Sequence, residues 1–254
     1  MIVALDQIQI AAHDVAAAAR AYQSALGVAQ IEHPGSVLFE MENTRLRISA
    51  ADEHEDQGLS SLVFAVDDLT RARHQLERRG APTTMVEGGD EPAALIAPDA
   101  SHGVHILLTE ARARGPTTAS ARGDALHALD HVVIRTSNAD RAVAFYGARL
   151  GLDLRLDRTN PAWNARLLFF RCGDMVVEIS AEPQASASSA PDRLDGLAWR
   201  TRDPDGARAR MAAAGLDSSE VRPGRKPGTR VFTLRSGLVG APSLIISAPT
   251  ADLA

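Results

Sequence analysis

The chain is written twice. Leu5-Asp6-Gln7-Ile8-Gln9-Ile10, followed by Ala21-Tyr22 and Leu26-Gly27, returns as Leu129-Asp130-His131-Val132-Val133-Ile134, Phe145-Tyr146 and Leu150-Gly151. Matched positions lie a constant 124 residues apart. A repeat with fixed spacing commits the chain to copies of one supersecondary unit, so every other expectation has to respect that symmetry. The copies differ at a polar position of the first element, Gln7 against His131. That difference points to a second half that keeps chemistry and a first half that stabilises or recognises.

Within one copy the hydrophobic pattern names the elements. Leu5 to Ala11 alternates, with Ile8 and Ile10 on one face and Gln7 and Gln9 on the other, as a half-buried strand does. Asp14 then offers an N-cap for a helix over Val15 to Leu26, and Gly27 supplies its stop. Val37 to Glu42 and Arg45 to Ala50 read as strands joined by a short turn, with a further short strand around Gln30 to His33. A second, shorter unit follows: a strand at Leu62 to Val66, the capping pair Asp67-Asp68, a helix from about Leu69 to Arg79, Gly80, and a strand from Gly103 to Thr109. It recurs 135 residues later as Leu197 to Thr201, Asp203, a helix to about Ala214, and Gly215. The chain therefore reads as four βαβββ-like modules. Residues 111–126, rich in Ala, Arg, Gly and Thr, form the expected linker between a domain over 1–110 and a domain over 127–249. The acidic stretch 52–56 and the Ser-Ala-rich stretch 183–192 read as surface loops.

Composition narrows the function classes. With 254 residues and 45% hydrophobic side chains, each half is long enough to bury a core. A formal net charge of −5 argues against nucleic acid or anionic membrane as the main partner, and no run of about 20 apolar residues is present to span a bilayer. The single cysteine, Cys172, cannot form an internal disulfide, and Met1 runs almost directly into a strand with no leader-like segment, so the expectation is a cytoplasmic protein. There is no Gly-x-Ser-x-Gly elbow, phosphate-cradling loop, dinucleotide fingerprint or His-Glu-x-x-His helix.

Leu129-Asp130-His131-Val132-Val133-Ile134, leading to Arg141 through Tyr146, then Leu150-Gly151-Leu152 and Val177-Glu178-Ile179-Ser180, resembles the vicinal oxygen chelate superfamily of glyoxalases, extradiol dioxygenases, epimerases and bleomycin-resistance proteins. The resemblance covers nearly the whole chain. It implies an α+β fold in which paired βαβββ modules form curled mixed sheets with helices outside, four modules in two domains. The superfamily hosts many reactions on one scaffold, so no single activity follows from it.

The resemblance also implies a ligand set: a His from the first strand of a module and a Glu from the last, binding divalent Fe, Mn, Ni, Co or Zn. His131 and Glu178 match both positions, with Glu178 as the catalytic carboxylate. The corresponding residues are Gly196 and Leu244 in the fourth module, Gln7 and Arg47 in the first, and Ser61 and about Leu107 in the second. Arg47 cannot ligate, since a guanidinium carries only donors. Two module pairings stay open. If each half closes on itself, His131 and Glu178 lack a third ligand. If the third module instead faces the second, as in a glyoxalase dimer, the strand bearing His105 comes opposite them and His105 becomes a candidate ligand. Homodimerisation is left open with it. By strand alternation Arg45 and Arg47 share the face of Gln7 and Gln9, Arg135 shares that of His131, and Arg200 that of Ala198. Gln7, Arg47, Arg135 and Arg200 are thus candidates for holding a small, anionic ligand. The functional expectation is a glyoxalase-like protein acting on a small metabolite, as a metal-dependent lyase, isomerase or dioxygenase. The alternative is a metal-free binding protein of the bleomycin-resistance type. Tyr22, Tyr146, Phe64, Trp199 and Cys172 read as packed, and His54 and His102 as loop histidines.

Overall fold

A computed structural model describes residues 1–52, 56–87, 91–115, 117, 122–181, 189–240 and 242–247. His54, most of the stretch 183–192 and part of the linker lie outside the described residues. The first module runs β1 (Ile2–Ala12), α1 (Val15–Leu26), β2 (Ile31–His33), β3 (Ser36–Glu40) and β4 (Arg45–Ala50). The second runs β5 (Gly58–Val66), α2 (Leu69–Arg78), β6 (Thr83–Val86), β7 (Ala93–Ile96) and β8 (His105–Glu110). The third begins with β9 (Ala128–Thr136) and α3 (Ala139–Ala142), which passes into a π-helix at Val143–Arg149. It continues with β10 (Asp153–Asn160), a 3₁₀ turn at Pro161–Trp163, β11 (Ala165–Cys172) and β12 (Met175–Ala181). The fourth comprises β13 (Arg193–Thr201), α4 (Pro204–Ala213), β14 (Arg222–Pro223), β15 (Arg230–Leu234) and β16 (Ser243–Ser247).

The same capping chemistry starts each helix. Asp14 accepts from the Ala17 amide at 2.8 Å, Asp68 from Arg71 at 2.8 Å, Asn138 from Arg141 at 3.0 Å and Asp203 from Gly206 at 2.9 Å. In each case a short polar side chain satisfies an amide that the first turn leaves without a partner. The strands form two eight-stranded mixed sheets, ordered β2-β3-β4-β1-β5-β8-β7-β6 and β10-β11-β12-β9-β13-β16-β15-β14. Within the sheets, β1 of the first module neighbours β5 of the second, and β9 of the third neighbours β13 of the fourth. By contacts, the described residues form two compact units. One draws on Met1–Ile8, Ser60–Ala113 and His131–Asp195, the other on Gln9–Leu59, Arg114–Asp130 and the chain from Gly196 onward.

Alternation places the core on one face of each sheet. Val132, Ile134, Phe170, Val177 and Ile179 have no exposed surface, nor do Ile8, Ile10, Phe64 and Trp199. Their neighbours on the opposite face of β9 and β12, among them His131, Val133, Val176 and Glu178, are half-buried. Tyr22 and Tyr146 are fully buried on their helices, and Cys172 is buried with its thiol pushed up to about 12 by desolvation. Among the described residues no helix is long and apolar enough to cross a membrane.

Candidate functional site

The register of the third module turns its open face into a grid. Antiparallel pairing of β10 with β11 and of β11 with β12, and parallel pairing of β12 with β9, align three rows of side chains on one face. The first row is Asp153, Arg171, Val176 and His131. The second is Leu156, Phe169, Glu178 and Val133, and the third is Arg158, Leu167, Ser180 and Arg135. Phe169 and Leu167 sit beside Glu178 and Ser180 because β11 alternates large apolar residues between the core face and this one.

His131 and Glu178 occupy diagonal positions of adjacent strands, and their side chains meet. Nε2 of His131 lies 3.6 Å from Oε2 of Glu178, with 18% of each side chain exposed. A carboxylate this close to an imidazole, with Val133, Val176 and Phe169 around it, can take or return a proton and can hold a polar ligand atom by either group.

The other candidates fall into distinct surroundings. Arg135 is exposed and donates from Nε to Asp195 Oδ2 at 3.2 Å, so its charge is largely answered by a carboxylate. Arg200, half-buried, forms an ion pair from Nε to Asp130 Oδ2 at 2.9 Å. Arg47, opposite Leu38 on β3, donates from Nη1 to Ser36 Oγ at 3.2 Å. Gln7 is buried on β1 with 5% of its surface exposed. His105 is exposed on β8 and stands opposite Ser61, while Leu107 stands opposite Val63. By the same register count that sets Glu178 against Val133, His105 takes the place of Val176 and Leu107 that of Glu178. In the fourth module Leu244 stands opposite Ala198, again offering no donor.

One polar cluster had no counterpart in the sequence reading. Asp192, buried, accepts from Thr136 Oγ1 and from Arg141 Nη2, each at 2.6 Å, and its amide donates to His102 O at 2.7 Å. The His102 ring packs edge-on against Phe145, with centroids 5.7 Å apart, and burial holds its imidazole below the usual histidine range. No motif in the sequence marks Asp192, because its partners come from β9, α3 and a distant turn.

Comparison with known proteins agrees with this architecture. Residues 130–233 match the family described as the Glyoxalase/Bleomycin resistance protein/Dioxygenase superfamily. No curated protein matches the chain's sequence. Among solved structures, 2,2',3-trihydroxybiphenyl 1,2-dioxygenase from the dibenzofuran-degrading Sphingomonas wittichii strain RW1 superposes with a TM-score of 0.74 at 16% identity, covering 98% of this chain and 91% of that one. The 2,3-dioxygenase LapB from Pseudomonas sp. KL28 gives 0.73 at 16%, over 98% and 94%. A mutant of 4-hydroxymandelate synthase from Streptomyces coelicolor gives 0.73 at 14%, over 97% and 93%. The chain has the vicinal oxygen chelate fold, and its second half carries the sequence signature of the glyoxalase, bleomycin-resistance and dioxygenase superfamily. At these identities the likeness to the dioxygenases extends to the fold and not to the reaction.

The implied metal can be tested against the donors present. Catalytic divalent sites use three protein ligands and keep a position open. Among the described residues no three His, Cys, Asp or Glu side chains converge. His131 and Glu178 supply two, and the positions that would add a third in the fourth module are Gly196 and Leu244. The described residues therefore do not fit a resident three-ligand ion.

Proposed function

We propose that the chain binds a small metabolite bearing neighbouring oxygens on the third-module face and moves a proton with the His131–Glu178 pair. The observation that carries this reading is the 3.6 Å approach of Nε2 and Oε2, half-buried among Val133, Val176 and Phe169. Partial burial suits a carboxylate that must stay charged in one step and neutral in the next. For a substrate with a C–H bond beside a carbonyl, Glu178 takes the proton and the bonding pair moves onto the carbonyl oxygen as an enolate. His131 donates a hydrogen bond to that oxygen, and return of the proton to either face of the carbon gives isomerisation. A lyase follows if a leaving group departs from the neighbouring carbon.

A second reading, a binding protein without turnover, is favoured by Arg47. A guanidinium at a family ligand position, hydrogen-bonded to Ser36, suits recognition rather than proton transfer. The two readings separate in deuterated water. With 1,2-dicarbonyl and 2-hydroxyketone compounds followed by proton NMR, the acid–base reading expects loss of the α-proton signal with wild-type protein. Glu178→Gln should slow that exchange by at least about 100-fold. Exchange of undiminished rate in Glu178→Gln, or none in the wild type with any compound, would overturn it.

A further inference from the structure

A second hollow lies on the helix side of the second module, between α2 and the strands β6 to β8. It encloses about 500 Å³, within the size range of small-molecule pockets, and shares no residue with the third-module face. Leu69 and Thr109 are its buried lining, and the Thr109 hydroxyl already donates to Pro92 O at 3.3 Å. Met85 and Pro92 add apolar surface nearer solvent.

Four charged side chains line this hollow, and two of them answer each other. Arg112 donates through both terminal nitrogens to the Glu91 carboxylate, and its Nη2 also lies 3.5 Å from Oδ2 of the buried Asp6. Arg73 and Glu110 remain, each without an ion pair among the described residues. Arg73, half-buried on α2, donates from Nε to Thr83 Oγ1 at 3.1 Å, which anchors the stem and leaves two terminal nitrogens as a fork. Glu110 Oε1 accepts from the Leu69 amide at 3.3 Å, which fixes the carboxylate at the start of α2 and leaves Oε2 for another donor. Leu69 precedes Arg73 by one helical turn, about 5–6 Å, and helical side chains lean toward the N-terminus. Cation and carboxylate therefore face the same space from neighbouring turns without touching.

We propose that this hollow binds a free α-amino acid with an apolar side chain. The ligand carboxylate docks on the Arg73 fork, its ammonium donates to Glu110, and its side chain lies against Leu69, Met85 and Pro92. A simple anion would leave Glu110 unanswered and a simple amine would leave Arg73 so, whereas a zwitterion answers both. The site is separate from His131 and Glu178 and does not depend on their chemistry.

Calorimetric titration of the full chain at pH 7 with L-leucine, N-acetyl-L-leucine and L-leucinamide tests this, because each analogue removes one of the two charges. Wild-type protein should bind leucine with a Kd below about 1 mM and each analogue at least about tenfold more weakly. In Glu110→Gln the preference for leucine over N-acetyl-leucine should fall to within about twofold. In Arg73→Gln the preference over leucinamide should fall likewise, and Arg73→Lys, which keeps the charge without the fork, should retain part of it. Circular dichroism checks that the variants fold; Glu110 is exposed, so Glu110→Gln decides the matter even if Arg73→Gln does not fold. No binding of leucine by wild type, equal affinity for all three compounds, or preferences unchanged in the folded variants overturns the site. Leucine binding lost in folded His131→Ala would place the ligand on the third-module face and overturn it as well.

Discussion

Side chains at equivalent places in the duplicated pattern have acquired different partners, and substitution should reveal it. Tyr22 and Tyr146 are both fully buried, and burial raises both phenols above their usual range. Tyr22 donates its hydroxyl to Val239 O at 2.8 Å, whereas the Tyr146 hydroxyl is buried without a hydrogen-bond partner among the described residues. Tyr22→Phe should therefore cost about 1 kcal/mol in urea unfolding, and Tyr146→Phe should be neutral or slightly stabilising. Equal losses would show that the two hydroxyls have equivalent surroundings. The same logic explains which site residues were legible. His131 and Glu178 announce themselves by type and place. The pairing of Arg135 with Asp195 and of Arg200 with Asp130 does not, because each partner lies 60 or more residues away.

Secondary structure followed the sequence closely wherever local rules act alone. The helix at Val15–Leu26 begins at its expected Asp cap and stops at Gly27, and the strand at Arg45–Ala50 lies where expected, whereas β13 runs Arg193–Thr201, starting four residues before the expected Leu197. The π-helix at Val143–Arg149 had no such signature. Its counterpart in the first module is regular α-helix, and Phe145 and Tyr146 lie fully buried within the wider turn. Strand β10 carries only a short alternation, Leu154 and Leu156 between Asp153, Arg155 and Asp157, and it is exposed along most of its length, so its pattern is weak. Gly27 and Gly80 both close helices at positive φ, 72° and 73°, yet their neighbours differ. A Cβ on Gly27 would lie 2.8 Å from Arg210 Cζ, a group that holds Asp124 and the end of α1, while one on Gly80 would meet nothing. Gly80→Ala should cost about 1 kcal/mol, from backbone strain alone, and Gly27→Ala about 2–3 kcal/mol. Chemical denaturation of the pair measures the difference, and indistinguishable values would remove the Arg210 contact from the account.

One module keeps a histidine–glutamate pair, His131 and Glu178, while its relatives carry Gln7 and Arg47, Ser61 and Leu107, or Gly196 and Leu244 in the corresponding places. The scaffold was legible because repeat spacing, capping and alternation all pointed to it. The reaction was not, because it depends on which donors meet across strands. The account rests on His131 and Glu178 acting as a pair of protein groups rather than as part of a three-ligand metal set. Plasma mass spectrometry of freshly purified protein, beside His131→Ala, tests that most directly. Only trace iron, manganese, nickel, cobalt and zinc in both proteins is the predicted result. Near one equivalent of any of them in the wild type, lost in His131→Ala, would contradict it and make the pair a ligand set.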